Sequence, residues 1–159
     1  MKTVTLARLR KGGACSGAIR IFQGRFGDKA LVEDIIDFLH KLGRDSWEGW
    51  LLAQDYRLTV SMLAKGANIH AAHDFALFWA ARCGRTRIIQ LLLEKGANIH
   101  VYHDDALRWA AVGGHLKIVK LLAENGANVH ANNDVALHQA EHCGHTGVAR
   151  FLREYSQAG

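Results

Sequence analysis

Histidine is the residue type most able to do chemistry in this chain, which has ten histidines among its 159 residues. His138 and His142 are four residues apart and would share one helix face, with Cys143 and His145 nearby. Imidazole and thiolate groups are preferred ligands of zinc. The group departs from the H-E-x-x-H pattern of metalloproteases because Glu141 does not follow the first histidine. We therefore predict no metal and no cofactor.

Cysteine is the next candidate for chemistry, as a nucleophile. Cys15 follows a Gly-Gly break and lies near Arg10 and Lys11, whose charges favour a thiolate. The sequence places no histidine beside it, and it contains no G-x-S-x-G motif, phosphate-binding loop or Cys-x-x-Cys pair. These observations predict that the protein is not an enzyme.

The cysteines also bear on the compartment. Cys15, Cys83 and Cys143 are odd in number and far apart, which favours free thiols in a reducing environment. No stretch approaches the roughly 18 apolar residues of a membrane span, and the basic N-terminus lacks the apolar core of a secretory signal. We expect a protein without membrane contact, in the cytoplasm of the producing or host cell.

Positive charge is concentrated at the N-terminal end. Residues 1–30 hold seven Lys/Arg and one acid, a net charge of +6, whereas residues 31–159 hold thirteen Lys/Arg and fourteen acids, a net charge of −1. Such a segment can bind phosphates of a nucleic acid, or it can be a solvated helix face. The candidate phosphate-binding residues are Arg8, Arg10, Lys11, Arg20, Arg25 and Lys29.

A repeat of thirty residues organises the rest of the chain. GANIH at 66–70 returns as GANIH at 96–100 and as GANVH at 126–130. In the first unit, Asp74 precedes an apolar run and is expected to cap a helix from Phe75 to Cys83, which Gly84 ends. A second helix is expected over Thr86–Glu94, with a broad apolar face. Stacked helix pairs bury faces that one pair cannot bury alone.

The repeated pattern D-x-A-L-x-x-A-x-x-x-G-H-x-x-x-V-x-x-L-L-x-x-G-A-N resembles the ankyrin repeat. The usual repeat has 33 residues and a T-P-L-H motif; this unit is shorter, and Ala76, Ala106 and Ala136 replace the proline. The shortened, proline-free form is similar to arrays of large DNA viruses and some bacteria. The resemblance implies an all-α solenoid of stacked helix pairs, in which His115 and His145 bond backbone at the interhelical turn. Its predicted units are residues 66–95, 96–125 and 126–155, after a degenerate unit at 45–65 and a basic helical N-terminal cap at 1–44.

The cap is predicted to hold three helices. The apolar spacing indicates helices over Thr3–Lys11, Ala14–Phe26 and Ala30–Leu42, with Gly12 and Gly13 as a break. The segment as a whole is expected to pack on the degenerate unit.

The resemblance also implies where a partner binds, because ankyrin arrays use their loop tips and the exposed face of each first helix. Trp79 and Trp109 would then either contact a partner or stack on each other within the array. We expect a monomer that binds one partner protein and inhibits or sequesters it, with a phage, viral or bacterial source and a host defence protein as target. The predicted partner-binding residues are His73, Phe75, Trp79, Arg82, Tyr102, His103, Asp105, Arg108, Trp109, Asn132, Asn133 and His142.

Overall fold

The N-terminal part of the protein combines three helices with a small sheet. The structure, a computed structural model, describes residues 3–11, 16–42, 51, 53, 56–70 and 73–158. Its first elements are strand β1 (Thr3–Thr5), helix α1 (Leu6–Lys11), helix α2 (Ser16–Phe26), strand β2 (Lys29–Leu31) and helix α3 (Val32–Leu42).

The two strands form an antiparallel pair in which Val4 lies opposite Ala30. This differs from the helix expected over Thr3–Lys11, because its first three residues are extended, and α3 likewise begins two residues later than expected. The sequence Thr-Val-Thr explains the difference, since β-branched side chains favour strands over helices. Both Val4 and Ala30 are buried in the core.

Helix α3 connects this segment to the repeats. Its apolar residues Val32, Ile35, Ile36 and Leu39 are buried and belong to the same core as the repeats. The helix packs against α4 (Tyr56–Leu63), which corresponds to the second helix of the degenerate unit. The first helix expected for that unit lies outside the described residues apart from Leu51 and Ala53, which are buried.

Three helix pairs follow in the order expected from the repeat. Each first helix packs on the next first helix, and each second helix packs on the next second helix, so the pairs form two layers. The core contains the small first-helix alanines and the branched second-helix side chains. The pairs are α5 (Phe75–Arg82) with α6 (Thr86–Glu94), α7 (Asp105–Val112) with α8 (Leu116–Glu124), and α9 (Ala131–His142) with α10 (Thr146–Ala158).

Histidines at the interhelical turns connect neighbouring units. The Nε2–H of His115 donates to the carbonyl oxygen of Arg82 at 3.2 Å, and that of His145 donates to Val112 at 2.9 Å. This confirms the expected hydrogen bond to backbone and adds that the acceptor belongs to the preceding unit. Gly114 makes room for such a ring, because a Cβ there would lie 2.6 Å from Nδ1 of His145.

The aspartate that precedes each first helix does not cap that helix, which corrects the prediction for Asp74. Its backbone is left-handed (φ 56°, ψ 32°) and not in the conformation from which a cap side chain reaches the N–H groups of its helix. Its Oδ1 instead accepts the backbone N–H of Asn98 in the next unit at 3.1 Å and the Nδ1–H of His70 at 2.9 Å. Asp104 makes the same pair of bonds one unit later, to Asn128 and His100.

Candidate partner-binding face

The loop tips are short runs of left-handed backbone. Tyr102, His103 and Asp104 have φ values of 53°, 57° and 60°, and the run from Asn132 to Asp134 has the same conformation. His, Asn and Asp are the non-glycine residues that tolerate this region best, whereas a bulky residue in it is an outlier. The left-handed backbone therefore explains why His, Asn and Asp occupy most tip positions, but it does not explain why a tyrosine occupies position 102.

Tyr102 is the prominent side chain of these tips. It is 55% exposed, and its ring meets that of His73 edge-on, with 6.0 Å between centroids. A small pocket lies beneath the two tips and is lined by residues that include Phe78 and Asp105. The tips of the first two repeat units are therefore continuous with the exposed face of their first helices.

An aromatic row runs along that face. The Phe78 ring meets the rings of Trp79 and Trp109 edge-on at 5.7 Å each, and it stacks on Phe75 at 5.2 Å. Sequence reasoning placed Phe75 and the two indoles on the face and missed Phe78. Its position three residues after Phe75 on one helix was the available signal.

Two guanidinium groups cover the indoles. The Cζ atom of Arg82 lies 5.1 Å from the ring centroid of Trp79 and 4.6 Å from that of Trp109, while Cζ of Arg108 lies 4.7 Å from the Trp109 ring. Arg108 is also paired with Asp105 through a 2.6 Å hydrogen bond. We call Phe78, Trp79, Arg82, Arg108 and Trp109 the Arg–Trp cluster.

Both indole nitrogens of the cluster lack a hydrogen-bond acceptor among the described residues. The Nε1 atoms of Trp79 and Trp109 are also closed to solvent. A buried polar group without a partner costs roughly 1–3 kcal/mol of stability. Because Trp79 and Trp109 both have this cost, the cluster contributes less to the stability of the protein than it would with both nitrogens hydrogen-bonded.

The third repeat unit does not continue the aromatic row. Gln139 stands where the first two units have tryptophan, and His142 stands where the first has Arg82. His142 and the tip residues Asn132 and Asn133 are exposed, as is His103 in the second unit. The structure therefore concentrates aromatic residues in two of the three units over which the predicted site residues are spread.

The basic residues predicted to bind phosphate lie in the N-terminal part of the chain. Arg10, Arg20, Arg25 and Lys29 are exposed on α1, α2 and the start of β2. The Arg25 guanidinium lies 5.9 Å from the Phe38 ring centroid. The side chains of the other two predicted residues, Arg8 and Lys11, lie outside the described part of the structure, as does the candidate nucleophile Cys15.

Metal-ligand groups and membrane-spanning helices are both absent from the described ranges. No group of three or more His, Cys, Asp or Glu residues there is arranged to hold a metal ion. Cys83 and Cys143 are exposed free thiols. None of the described helices is long and apolar enough to cross a membrane.

Comparison with known proteins identifies the family. The family model described as ankyrin repeats (3 copies) matches residues 50–133 and 102–158, which together cover more than half of the chain. A search of curated proteins finds no match. Proteins of this family are typically non-enzymatic modules for protein–protein interaction. The stacked helix pairs and the family match agree, and the chain belongs to the ankyrin-repeat family.

Proposed function

We propose that this protein binds one partner protein through the loop tips and first helices of the units at 66–95 and 96–125. The observation that carries the proposal is the Arg–Trp cluster together with the exposed Tyr102 beside it. Trp, Tyr and Arg are the residue types most enriched at binding hot spots. Tyr102 and Arg82 are exposed beside packed helices, and a preformed surface of this kind reduces the entropy lost when a partner docks.

Inhibition or sequestration is the proposed consequence of binding. A partner held across this face would have its own contacting surface covered, and no catalytic step by the ankyrin array is needed for that effect. The protein is proposed to act as a monomer and not as an enzyme. A phage, viral or bacterial source, a host defence protein as target and a cytoplasmic location stay predictions.

A capture experiment tests the proposal. We would immobilise the full chain, pass nuclease-treated lysate over it, and compare wild type with Tyr102→Ala and with Arg82→Ala by mass spectrometry. Both side chains are exposed, so the variants should fold, which circular dichroism would check. Arg87→Ala on the exposed side of α6 is the matched control.

The expected result is a protein that wild type and the Arg87→Ala variant recover and that both face variants lose at least tenfold. Equal recovery by all four proteins would contradict the proposed binding face. Partner loss in the control alone would move the site to the second-helix layer.

Nucleic-acid binding is a second candidate because exposed cations are grouped on the N-terminal elements. The expected property is strong salt dependence, since each phosphate contact releases counterions. Anisotropy of a labelled duplex DNA, measured at low and moderate salt with wild type and with an Arg10→Gln/Arg20→Gln variant, tests it. Binding that is insensitive to both salt and substitution would exclude this use of the segment.

A further inference from the structure

We propose that Arg82 is a specificity residue that binds a carboxylate of the partner, so that the partner presents a linear acidic segment to the Arg–Trp cluster. This inference rests on the proposed function and names the chemistry of the partner. Three observations support it: the way the guanidinium is held, its uncompensated charge, and the exposure of its hydrogen-bond donors.

The two indoles hold the Arg82 guanidinium in place. Its Cζ atom lies within 5.1 Å of the Trp79 centroid and 4.6 Å of the Trp109 centroid, both inside the range of a cation–π contact. A guanidinium that stacks through its faces keeps the N–H donors at its edges for other partners. Because the rings already restrict this side chain, a ligand that binds those edges loses less conformational entropy.

The charge of Arg82 is not balanced within the described part of the protein. No carboxylate among the described residues lies within 4.0 Å of its guanidinium, whereas Arg108 has Asp105 at 2.6 Å. Arg82, Arg108 and Asp105 together carry a net charge of +1. A partner carboxylate would complete the second ion pair, and bidentate carboxylate binding is the geometry that arginine favours.

The hydrogen-bond donors that a partner can reach at the cluster belong to Arg82. Its side chain is exposed, whereas the indole nitrogens of Trp79 and Trp109 are closed to solvent and lie beyond the reach of a partner. An acidic segment brings carboxylate and backbone carbonyl oxygens, which can accept from the guanidinium edges. A basic segment would add donors and repel the guanidinium, so it would be rejected.

A protein carboxylate fits this site better than a nucleic acid. Single-stranded nucleic acids bind aromatic sites by stacking bases on open ring faces. Here Arg82, Arg108 and Phe78 already contact the two indole rings. A carboxylate needs only the guanidinium edge, and it needs no bare indole face.

Peptide selection tests the inference. A display library of random linear peptides is panned against the full chain, and the selected peptides are synthesised with each acidic residue either kept or replaced by its amide. Affinities are then measured for wild type, Arg82→Gln, Tyr102→Ala and the matched control Arg87→Gln, and single-stranded DNA is added as a competitor to wild type and Arg82→Gln. Thermal unfolding verifies that the variants are folded.

We expect selected peptides to share an Asp or Glu whose conversion to the amide weakens binding to wild type and to the control roughly ten- to a hundredfold, as expected for a hydrogen bond to a charged group. For Arg82→Gln the acid and amide peptides should bind equally, because the guanidinium that distinguishes them is gone.

Other outcomes would overturn the inference in distinguishable ways. Peptides that lack a shared acid but lose affinity with Tyr102→Ala would overturn it and leave the proposed function standing. Peptides insensitive to Tyr102→Ala and Arg82→Gln would contradict both. A library without binders would refute a linear acidic segment. Displacement of the peptide by single-stranded DNA from wild type, but not from Arg82→Gln, would assign the site to phosphate.

Discussion

The carboxylates of Asp74 and Asp104 each join two repeat units through one oxygen atom. That oxygen accepts a histidine Nδ1–H of its own loop and a backbone N–H of the next loop. The side chain of Asp104 is only 7% exposed, whereas that of Asp134 in the third unit is 43% exposed and bonds His130 alone. Aspartate at equivalent positions of the repeat therefore contributes unequally to the stability of the protein.

This difference predicts unequal effects of two matched substitutions. Asp104→Ala removes the acceptor of the Asn128 backbone N–H in a part-buried bond between units, and it should lower the free energy of unfolding by roughly 1–3 kcal/mol. Asp134→Ala removes an exposed carboxylate and should change the free energy by much less. Urea unfolding followed by circular dichroism measures both, and equal losses would contradict a bond between units as the cause.

Tyr102 and Asn132 form a second matched pair, because they occupy the same left-handed position in consecutive units. Asparagine tolerates this conformation better than tyrosine, for which the cost is about 1–2 kcal/mol. We expect Tyr102→Asn to stabilise the protein by about 1 kcal/mol and to weaken partner capture, and Asn132→Tyr to destabilise it. Thermal unfolding and the capture experiment separate these effects; a Tyr102→Asn variant that is less stable would show that the ring stabilises its loop.

At the scale of elements, the sequence predicts correctly those helices whose positions are determined by residues within the same segment. The helices over Phe75–Arg82 and Thr86–Glu94 match their expected positions to within one residue, because apolar period and glycine breaks lie inside the segments. The strand Thr3–Thr5 was missed because its β-branched run is only three residues long and its pairing partner, Lys29–Leu31, is distant in the sequence. The role of Asp74 was missed for the same reason, since the N–H that it binds belongs to another unit.

Substitution of two glycines with similar backbone angles, Gly114 and Gly144, tests the contact between neighbouring helix pairs. Gly114 has φ 67° and Gly144 has φ 74°, so alanine strains both positions similarly. A Cβ at Gly114 would also meet the His145 ring at 2.6 Å, whereas one at Gly144 meets no atom within 4 Å. We expect Gly114→Ala to lower the unfolding midpoint more than Gly144→Ala does.

The additional decrease in unfolding midpoint caused by Gly114→Ala, relative to Gly144→Ala, should disappear in a His145→Ala background, because the ring that the new Cβ would meet is then absent. A double-mutant cycle measured by thermal unfolding gives this coupling. Additive losses would mean that strain at φ 67° accounts for the whole effect and that the ring moves aside freely.

At the scale of the whole molecule, the stability of each repeat unit depends on the units packed on either side of it. Leu122 and Leu152 occupy equivalent core positions of α8 and α10, and both are almost fully buried. Helix α8 packs on helices of the units before and after it, whereas α10 packs on its own partner and on the unit before it. In such an array, stability is approximately a sum of unit terms and interface terms, so a central residue affects two interfaces.

We therefore expect Leu122→Ala to cost more than Leu152→Ala, with both in the range of about 2–5 kcal/mol known for buried Leu→Ala changes. The spread of the effect should differ as well. In native-state hydrogen exchange, Leu122→Ala should reduce protection in α6, α8 and α10, whereas Leu152→Ala should reduce it chiefly in α10, since only one interface is weakened. Uniform loss of protection throughout the chain in both variants would instead indicate a single cooperative unit, in which position along the stack has no influence on stability.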